Sequence, residues 1–150
     1  MPSLYSSDSL ERLQDGWVGI VDDDASVRRA LARYLRICGI RVETFGSAAE
    51  FLSYSGSPAA CLVIDVQLGT STGFELRDRL FDRDTSPPPL IFITACDDIA
   101  AFDPGRGRGI SAWLRKPLRA DALVDLIYQL SGPNKAVDVL TPASVNKKEA

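Results

Sequence analysis

Histidine is absent from the 150-residue chain, and cysteine is scarce. The first absence excludes catalysis by a histidine acid or base and metal sites built on histidine. The three cysteines, Cys38, Cys61 and Cys96, lack the spacing of metal ligands, and an odd, sparse set is typical of reduced thiols in a cytoplasmic protein. We therefore interpret the cysteines as small buried apolar residues and assign them no function.

Long basic stretches and long apolar stretches are also missing. The net charge is −3 and there is no long basic stripe, so direct nucleic-acid binding is not expected, because phosphate contacts need clustered Lys and Arg. No apolar run is long enough to cross a membrane, and the N-terminus has no signal-peptide pattern. With 45% hydrophobic and 25% charged residues, the chain is predicted to be a soluble cytoplasmic protein without membrane contact.

Two apolar runs lead directly into acidic residues. The run 61–64 is followed by Asp65, and the run 17–21 is followed by Asp22, Asp23 and Asp24. A short continuous apolar run is typical of a strand buried on both faces of a parallel sheet. A carboxylate after such a strand lies at the carboxyl edge of the sheet, where open α/β sheets bind ligands. If the two strands are neighbours, these carboxylates converge on one pocket.

Strands and helices alternate along the rest of the chain. The pattern predicts five strands, at 17–21, 41–45 (at a sheet edge), 61–64, 90–94 and 111–114, and helices at about 26–38, 47–53, 74–81 and 120–130. Such alternation predicts an α/β fold, a doubly wound parallel sheet with helices on both faces. We expect one domain at 16–132, between a loosely ordered leader at 1–15 and a polar tail at 133–150.

Two segments are predicted to be irregular. Residues 69–73, of sequence Gly-Thr-Ser-Thr-Gly, are predicted to form a flexible loop. A fourth helix is expected after the strand 90–94, but residues 104–109 contain one proline and three glycines. Their combined penalty is several kcal/mol, at roughly 1 for each Gly and 3 for Pro. We therefore predict a short helical turn near 99–102 and then an irregular loop.

Four polar signals follow four of the predicted strands. They are the acidic pair Asp22-Asp23, then Asp65, Thr94 and Lys116. Crowded carboxylates resist joint ionisation, and a hard divalent cation such as Mg²⁺ relieves their repulsion. An ionised aspartate is then a nucleophile toward phosphorus, with Mg²⁺ and Lys116 on the phosphoryl oxygens and the Thr94 hydroxyl as a hydrogen-bond donor.

The order and spacing of these signals resemble the receiver domain of bacterial two-component response regulators. The resemblance runs from about residue 17 to residue 131 and includes Gly73, eight positions after Asp65, and Lys116-Pro117, which begins twenty-two positions after Thr94. It implies a flavodoxin-like fold with strand order 2-1-3-4-5, the order of the chemotaxis receiver. In that order the first and third strands are neighbours, as the convergence of the carboxylates requires.

The resemblance also implies roles for the acidic residues. Asp65 matches the phosphoacceptor. Asp23 and Asp65 match direct Mg²⁺ ligands together with the backbone carbonyl of Gln67, and Asp22 matches the acid that holds a metal-bound water. Asp24 lies beside this pair, and we assign it first to capping the following helix.

Downstream of the acids, Thr94 matches the switch hydroxyl and Trp113 the switch aromatic. Lys116 matches the phosphate-binding lysine, and Pro117 is a candidate for a cis peptide, which X-Pro bonds permit. Gly69 departs from the family, which usually has proline there, and a glycine is expected to loosen the loop.

Each of these residues taken alone has a simpler interpretation. Asp22 to Asp24 could cap a helix, and Asp65 could begin an ordinary loop. Thr94 could be a plain strand residue, Lys116 a solvated one, and Trp113 a core or edge residue. Only their joint spacing favours a site.

We expect a phosphoacceptor signalling domain that assists its own phosphotransfer and is not an enzyme in the ordinary sense. Its partners would be a sensor histidine kinase or phosphotransfer protein and a downstream protein, and the chain would act alone or as a fragment of a longer regulator. The alternative is a binding module on the same fold that needs no phosphorylation, which the irregular segment and Gly69 favour. A phosphatase with an aspartyl-phosphate intermediate is disfavoured, because Gln67 stands where such enzymes typically have a second acid.

Overall fold

Seven strands and four helices make up the computed structural model, which describes residues 16–84, 86–95 and 108–131. The strands are β1 (Val18–Val21), β2 (Val42–Phe45), β3 (Cys61–Asp65), β4 (Gln67–Leu68), β5 (Ser71–Thr72), β6 (Leu90–Thr94) and β7 (Ala112–Arg115). The helices are α1 (Ala25–Ile37), α2 (Ala48–Leu52), α3 (Gly73–Arg83) and α4 (Ala120–Ser131). The five predicted strands are confirmed, each to within one residue at either end.

The central sheet contains five parallel strands in the order β2-β1-β3-β6-β7. This is the order 2-1-3-4-5 that the resemblance implies, since β6 and β7 are the fourth and fifth strands of this sheet. The expected edge position of β2 is also confirmed. Because β3 lies in the middle with a parallel neighbour on each side, the strand that carries Asp65 is the most enclosed of the five.

The continuous apolar sequence of β3 follows from helices on both faces of the sheet. Cys61 and Val63 pack into the core under α1 and α4, whereas Leu62 and Ile64 pack into the core under α2 and α3. Successive side chains of a strand point to opposite faces, so a strand covered twice needs apolar residues at every position. The doubly wound architecture is therefore confirmed.

The apolar face of α1 is narrower than its sequence pattern indicates, and the helix begins and ends one residue earlier than predicted. Apolar residues recur at helical spacing along this segment, which favours one buried stripe made of Val27, Ala30, Leu31, Tyr34, Leu35 and Cys38. The buried residues are instead Leu31, Ala32 and Leu35, while Cys38 is exposed, so its assignment as a buried residue was wrong. Cys38 follows the last residue of the helix and therefore leaves the periodic face. Cys61 is buried as predicted, and Cys96 lies outside the described residues.

The segment after β3 is not the flexible loop predicted at 69–73. Strands β4 and β5 pair antiparallel across a two-residue turn at Gly69 and Thr70. Gly69 has a φ of +68°, which proline cannot adopt because its ring fixes φ near −65°. Glycine at this position thus forms the turn itself. Gly73 already belongs to α3, which Thr72 and Glu75 begin with reciprocal side-chain to backbone hydrogen bonds.

Several predictions fall wholly or partly outside the described residues. These include the leader at 1–15, the helical turn at 99–102, most of the irregular loop at 104–109 and the tail at 133–150. Arg108 and Gly109 lie in a turn, and Gly109 has a φ of +73°. Among the described residues, no helix combines the length and the apolarity needed to cross a membrane.

Candidate phosphoryl and metal site

The sheet topology brings the predicted acids together at one edge. Val21 pairs with Ile64 across β1 and β3, so the residues just beyond them are neighbours. Carboxylate oxygens of Asp22, Asp23 and Asp65 lie within 4.8 Å of one another. The predicted convergence is confirmed, and it results from two adjacent strands ending at the same level. Three carboxylates at this spacing repel each other strongly unless a cation joins them.

Asp65 is buried, and both of its carboxylate oxygens have partners. Only 4% of the residue is exposed. The Lys116 ammonium donates to Oδ2 at 2.7 Å, and the backbone N–H of Gln67 donates to Oδ1 at 2.9 Å. Contacts to an ionised acceptor in a secluded site are stronger than the same contacts in water. The carboxylate is therefore fixed in orientation before any ligand arrives.

Lys116 reaches Asp65 because of how the chain leaves β7. Its backbone N–H donates to the carbonyl of Thr94 at 2.8 Å, and the following peptide bond to Pro117 is cis, as predicted. Burial by itself would lower the pKa of Lys116, but the hydrogen bond to Asp65 and the nearby negative charges raise it above its ordinary value. The ammonium is thus available as a fixed positive charge at neutral pH.

Asp22 is the most secluded of the three acids, with 1% of its surface exposed. Its Oδ1 accepts a hydrogen bond from the backbone N–H of Asp24 at 2.8 Å. Burial is the main cause that raises its pKa from 3.8 to about 6, opposed by that hydrogen bond and reinforced by the charge of Asp65. The pocket therefore holds more negative charge than one lysine relieves, which is the condition that favours a divalent cation.

Asp23 and Asp24 have different positions and contacts. Asp23 is exposed at the mouth of the pocket, opposite Gly69. Asp24 caps α1, since its Oδ1 accepts from the backbone N–H groups of Ser26 at 2.9 Å and Val27 at 3.2 Å. The capping role predicted for Asp24 is confirmed. Of the three consecutive aspartates, Asp22 and Asp23 thus stay the candidates for holding a metal.

Gly73 allows α3 to begin directly beneath the phosphoacceptor candidate. A Cβ atom at this position would lie 2.8 Å from the carbonyl oxygen of Asp65 and 2.9 Å from Cγ2 of Ile64. Both distances are too short for a carbon side chain. The glycine eight positions after Asp65 is therefore needed for close packing under the site, which the sequence pattern alone could not explain.

Thr94 and Trp113 lie in different surroundings. Thr94 is buried as the last residue of β6, one position beyond the Ile93 that pairs with Asp65. Trp113 is also buried, with its ring 5.5 Å from the ring of Phe92 and 6.1 Å from that of Phe74. The structure thus places Thr94 beside the site and Trp113 in the core behind it.

One contact of the site was missed from the sequence. Arg28 donates from Nη1 to the backbone carbonyl of Asp22 at 2.6 Å, which fixes the chain where it turns from β1 into α1. The available signal was its position four residues after the cap Asp24, where a first-turn side chain can reach back to the strand end. Gln67 contributes its N–H to Asp65, and its carbonyl oxygen stays a predicted metal ligand.

A parallel sheet in this order, with three acids and a lysine at its carboxyl edge, defines a flavodoxin-like domain with an acidic site at that edge. The family of response regulator receiver domains matches residues 18–128. The chain therefore belongs to the response regulator receiver family, whose members are signalling domains of two-component systems and generally not enzymes in the ordinary sense.

Relatives and solved structures agree with this family. Nodulation protein W of Bradyrhizobium diazoefficiens is 37% identical over 111 residues, which cover 73% of this chain and 48% of that protein. A response regulator receiver protein from Burkholderia phymatum has a TM-score of 0.63 at 36% identity and covers 79% of this chain and 99% of its own. A CheY-like receiver domain from Methanospirillum hungatei has a TM-score of 0.69 at 21% identity, covering 77% and 93%. The chain spans about half the length of the curated relatives it matches.

Proposed function

We propose that this chain accepts a phosphoryl group on Asp65, with Mg²⁺, from a sensor histidine kinase or a phosphotransfer protein. The observation that carries the proposal is a buried Asp65 carboxylate held between the ammonium of Lys116 at 2.7 Å and the carboxylates of Asp22 and Asp23. A secluded carboxylate with one fixed cation on one side and two further acids on the other is suited to nucleophilic attack on phosphorus.

The donor set fits a magnesium ion. Asp23, Asp65 and the backbone carbonyl of Gln67 would bind it directly, and Asp22 would hold one of its waters, since Mg²⁺ prefers oxygen ligands and keeps several waters. Bound there, the ion supplies positive charge next to the phosphoryl oxygens. The charge of the pocket agrees with this assignment, because three carboxylates face one lysine.

The side chains of the protein position the transfer. A bond forms between an Asp65 carboxylate oxygen and phosphorus while the bond from phosphorus to the donor nitrogen breaks, and its electron pair stays on that nitrogen. The N–H of Gln67 keeps the carboxylate oriented, and Lys116 can follow the negative charge from Asp65 to a phosphoryl oxygen. The Thr94 hydroxyl, at the end of the neighbouring strand, donates to another phosphoryl oxygen.

Phosphorylation of Asp65 would then change which proteins the domain binds. Thr94 and Lys116 lie at the ends of β6 and β7, and the N–H of Lys116 joins those two ends. A rearrangement of Thr94 on a new phosphoryl group therefore moves the neighbouring strand end. Trp113, on β7, would move with this strand end and so change the surface that binds a downstream protein.

Titration with Mg²⁺ and beryllofluoride, which mimics a phosphoryl group, tests this function. The wild-type protein should bind the mimic only with Mg²⁺ present, and Asp65→Asn should abolish binding because the amide is no nucleophile. Asp82→Asn makes the same change at an exposed residue of α3 and should leave binding intact. Uptake of label from a phosphoryl donor by Asp65→Asn would overturn the assignment. If the affinity for a partner protein is unchanged by Asp65→Ala and by removal of Mg²⁺, the phosphorylation-independent module is supported instead.

A further inference from the structure

A fully buried arginine lies outside the site, on the helix that begins beneath it. Arg77, on α3, has 0% of its surface exposed, although the helix has an outer face where a guanidinium could remain solvated. Burying a guanidinium is costly unless charged and aromatic partners surround it. The position of Arg77 therefore needs an explanation that helix patterning does not give.

Two groups of α3 hold the Arg77 side chain in place. Its Nε donates to Oδ1 of Asp78 at 3.0 Å, and its Nη2 lies 2.9 Å from the same oxygen. Its guanidinium carbon lies 5.6 Å from the centre of the Phe74 ring, within the range of a cation–π contact. Arg77 thus joins an ion pair at the surface to an aromatic ring in the core.

The ion pair continues to the segment that enters β7. Arg108 places Nη2 at 3.5 Å from Oδ1 of Asp78, and its guanidinium carbon lies 5.5 Å from the centre of the Phe81 ring. The next residue, Gly109, lies so close to Phe81 that a Cβ atom there would overlap the ring. Asp78 therefore connects α3 to the residues just before the strand that carries Trp113.

The Phe74 ring that Arg77 contacts belongs to an aromatic cluster close to the phosphoacceptor candidate. The Phe74 ring stacks on Phe92 at 5.5 Å and contacts Trp113 at 6.1 Å. Phe74 directly follows Gly73, whose backbone lies against the carbonyl of Asp65. Arg77 thus contacts the ring cluster behind the site through Phe74, and Asp78 links it to the connection that enters β7.

We propose that Arg77 is a positioning residue that holds the cluster of Phe74, Phe92 and Trp113 and links its arrangement to the entry of β7 through Asp78 and Arg108. The inference rests on the proposed function, because it assigns to Arg77 the coupling between a ligand on Asp65 and the Trp113 ring. The physical basis is that a planar cation fixed at both ends restricts the ring beneath it and the helix segment that carries it.

Fluorine NMR of protein labelled with 5-fluorotryptophan tests the proposal. The chain contains two tryptophans, so a Trp17→Phe variant assigns the Trp113 signal. In the wild type, saturation with Mg²⁺ and beryllofluoride should move this signal. In Arg77→Met the mimic should still bind, but the change in the Trp113 signal should be at least about twofold smaller, because the ring arrangement is no longer tied to one state.

Arg79→Met is the matched control, since it removes an exposed arginine from the same helix. It should leave both the binding of the mimic and the Trp113 response unchanged. If Arg77→Met only lowers the free energy of unfolding while the Trp113 response stays intact, Arg77 has a purely structural role and the inference is overturned.

Arg108→Gln decides the question if Arg77→Met does not fold, because Arg108 is largely exposed and its removal leaves no buried charge without its partner. A weakened Trp113 response supports the inference, and a wild-type response overturns it. A wild-type protein that binds no beryllofluoride removes the proposed function. A wild-type protein that binds it without any movement of the Trp113 signal removes the roles of Trp113 and Arg77 but leaves Asp65 as the proposed phosphoacceptor.

Discussion

The two ends of β3 are both buried, yet they carry side chains that behave differently. Cys61, at the amino end, is fully buried, and burial raises the pKa of its thiol to about 12, so it stays neutral. Asp65, at the carboxyl end, is almost as buried but is paired with the ammonium of Lys116 and the N–H of Gln67. Burial alone thus keeps the thiol neutral, whereas the carboxyl edge of the sheet supplies the charged and polar partners that the proposed nucleophile Asp65 needs.

The largest expected effect concerns the inert end of the strand. Cys38 is exposed and Cys61 has 0% exposure, so a thiol reagent should label Cys38 at least about a thousandfold faster, because Cys61 reacts only when the structure opens. Labelling followed by peptide mass spectrometry measures both rates, and urea should equalise them. Fast labelling of Cys61 in the folded protein would contradict the description of this end as closed.

At the Asp65 end of β3, removing the Lys116 ammonium should be the most damaging change after loss of Asp65 itself. Lys116→Met leaves the buried Asp65 carboxylate without its charged partner, and losing such a partner costs about 2 to 5 kcal/mol, or more than about thirtyfold in affinity for beryllofluoride. Isothermal titration measures this loss. Arg119→Met, at an exposed ion pair with Asp121, should change affinity little. Equal effects of the two variants would show that the Lys116 contact is not special.

Close packing beneath the site gives a third prediction. Gly73→Ala forces a carbon to 2.8 Å from the carbonyl of Asp65, and such overpacking should lower the free energy of unfolding by about 1 to 3 kcal/mol. Urea unfolding followed by circular dichroism measures the change. Gly39→Ala is the comparison variant without steric overlap, since no atom lies within 4 Å of a Cβ there. Its φ of +86° separately disfavours alanine. Wild-type stability of Gly73→Ala would mean that α3 can move away from the site.

An effect of similar size is a pH dependence that sets Asp22 apart from an ordinary aspartate. Its pKa is raised from 3.8 to about 6 in the folded protein, so without metal the folded state loses stability as pH rises between these values. The loss should be about 1 to 3 kcal/mol, complete above pH 6, and absent in Asp22→Asn. Stability measured against pH with a chelator tests the first part.

Magnesium should reverse this trend, because its site needs the ionised carboxylates. Stabilisation by Mg²⁺ should therefore grow as pH rises through about 6, where Asp22 loses its proton. A stabilisation by Mg²⁺ that is the same at pH 5 and pH 8 would exclude Asp22 from the metal site.

The main sheet and the position of the acids could be predicted because both depend on short-range sequence patterns. Strands covered on two faces are apolar up to their last residue, as β3 and β6 are, and an acid at the carboxyl end of such a strand lies at the sheet edge. The order of the strands was a different matter. It followed from the family resemblance, because no pattern within one strand specifies its neighbour.

Other features could not be predicted because they depend on tertiary contacts. Strands β4 and β5 have two residues each, too short for any periodicity to appear. The sequence of α3 gives no sign that Arg77 is buried, because its contacts with Asp78 and the Phe74 ring form only in the folded chain. Trp113 was equally compatible with a core and a switch position, and its burial between two phenylalanines appears only in the folded chain.

The most direct test of the account is the site of covalent phosphorylation. The protein is incubated with phosphoramidate, with Mg²⁺ or with a chelator, and the acyl phosphate is reduced with borohydride and located by mass spectrometry. We predict one modified residue, Asp65, only when Mg²⁺ is present and never in Asp65→Asn. Modification at another residue, or at Asp65 to the same extent under chelation, would contradict the claim that crowded carboxylates and Mg²⁺ make this aspartate a phosphoacceptor.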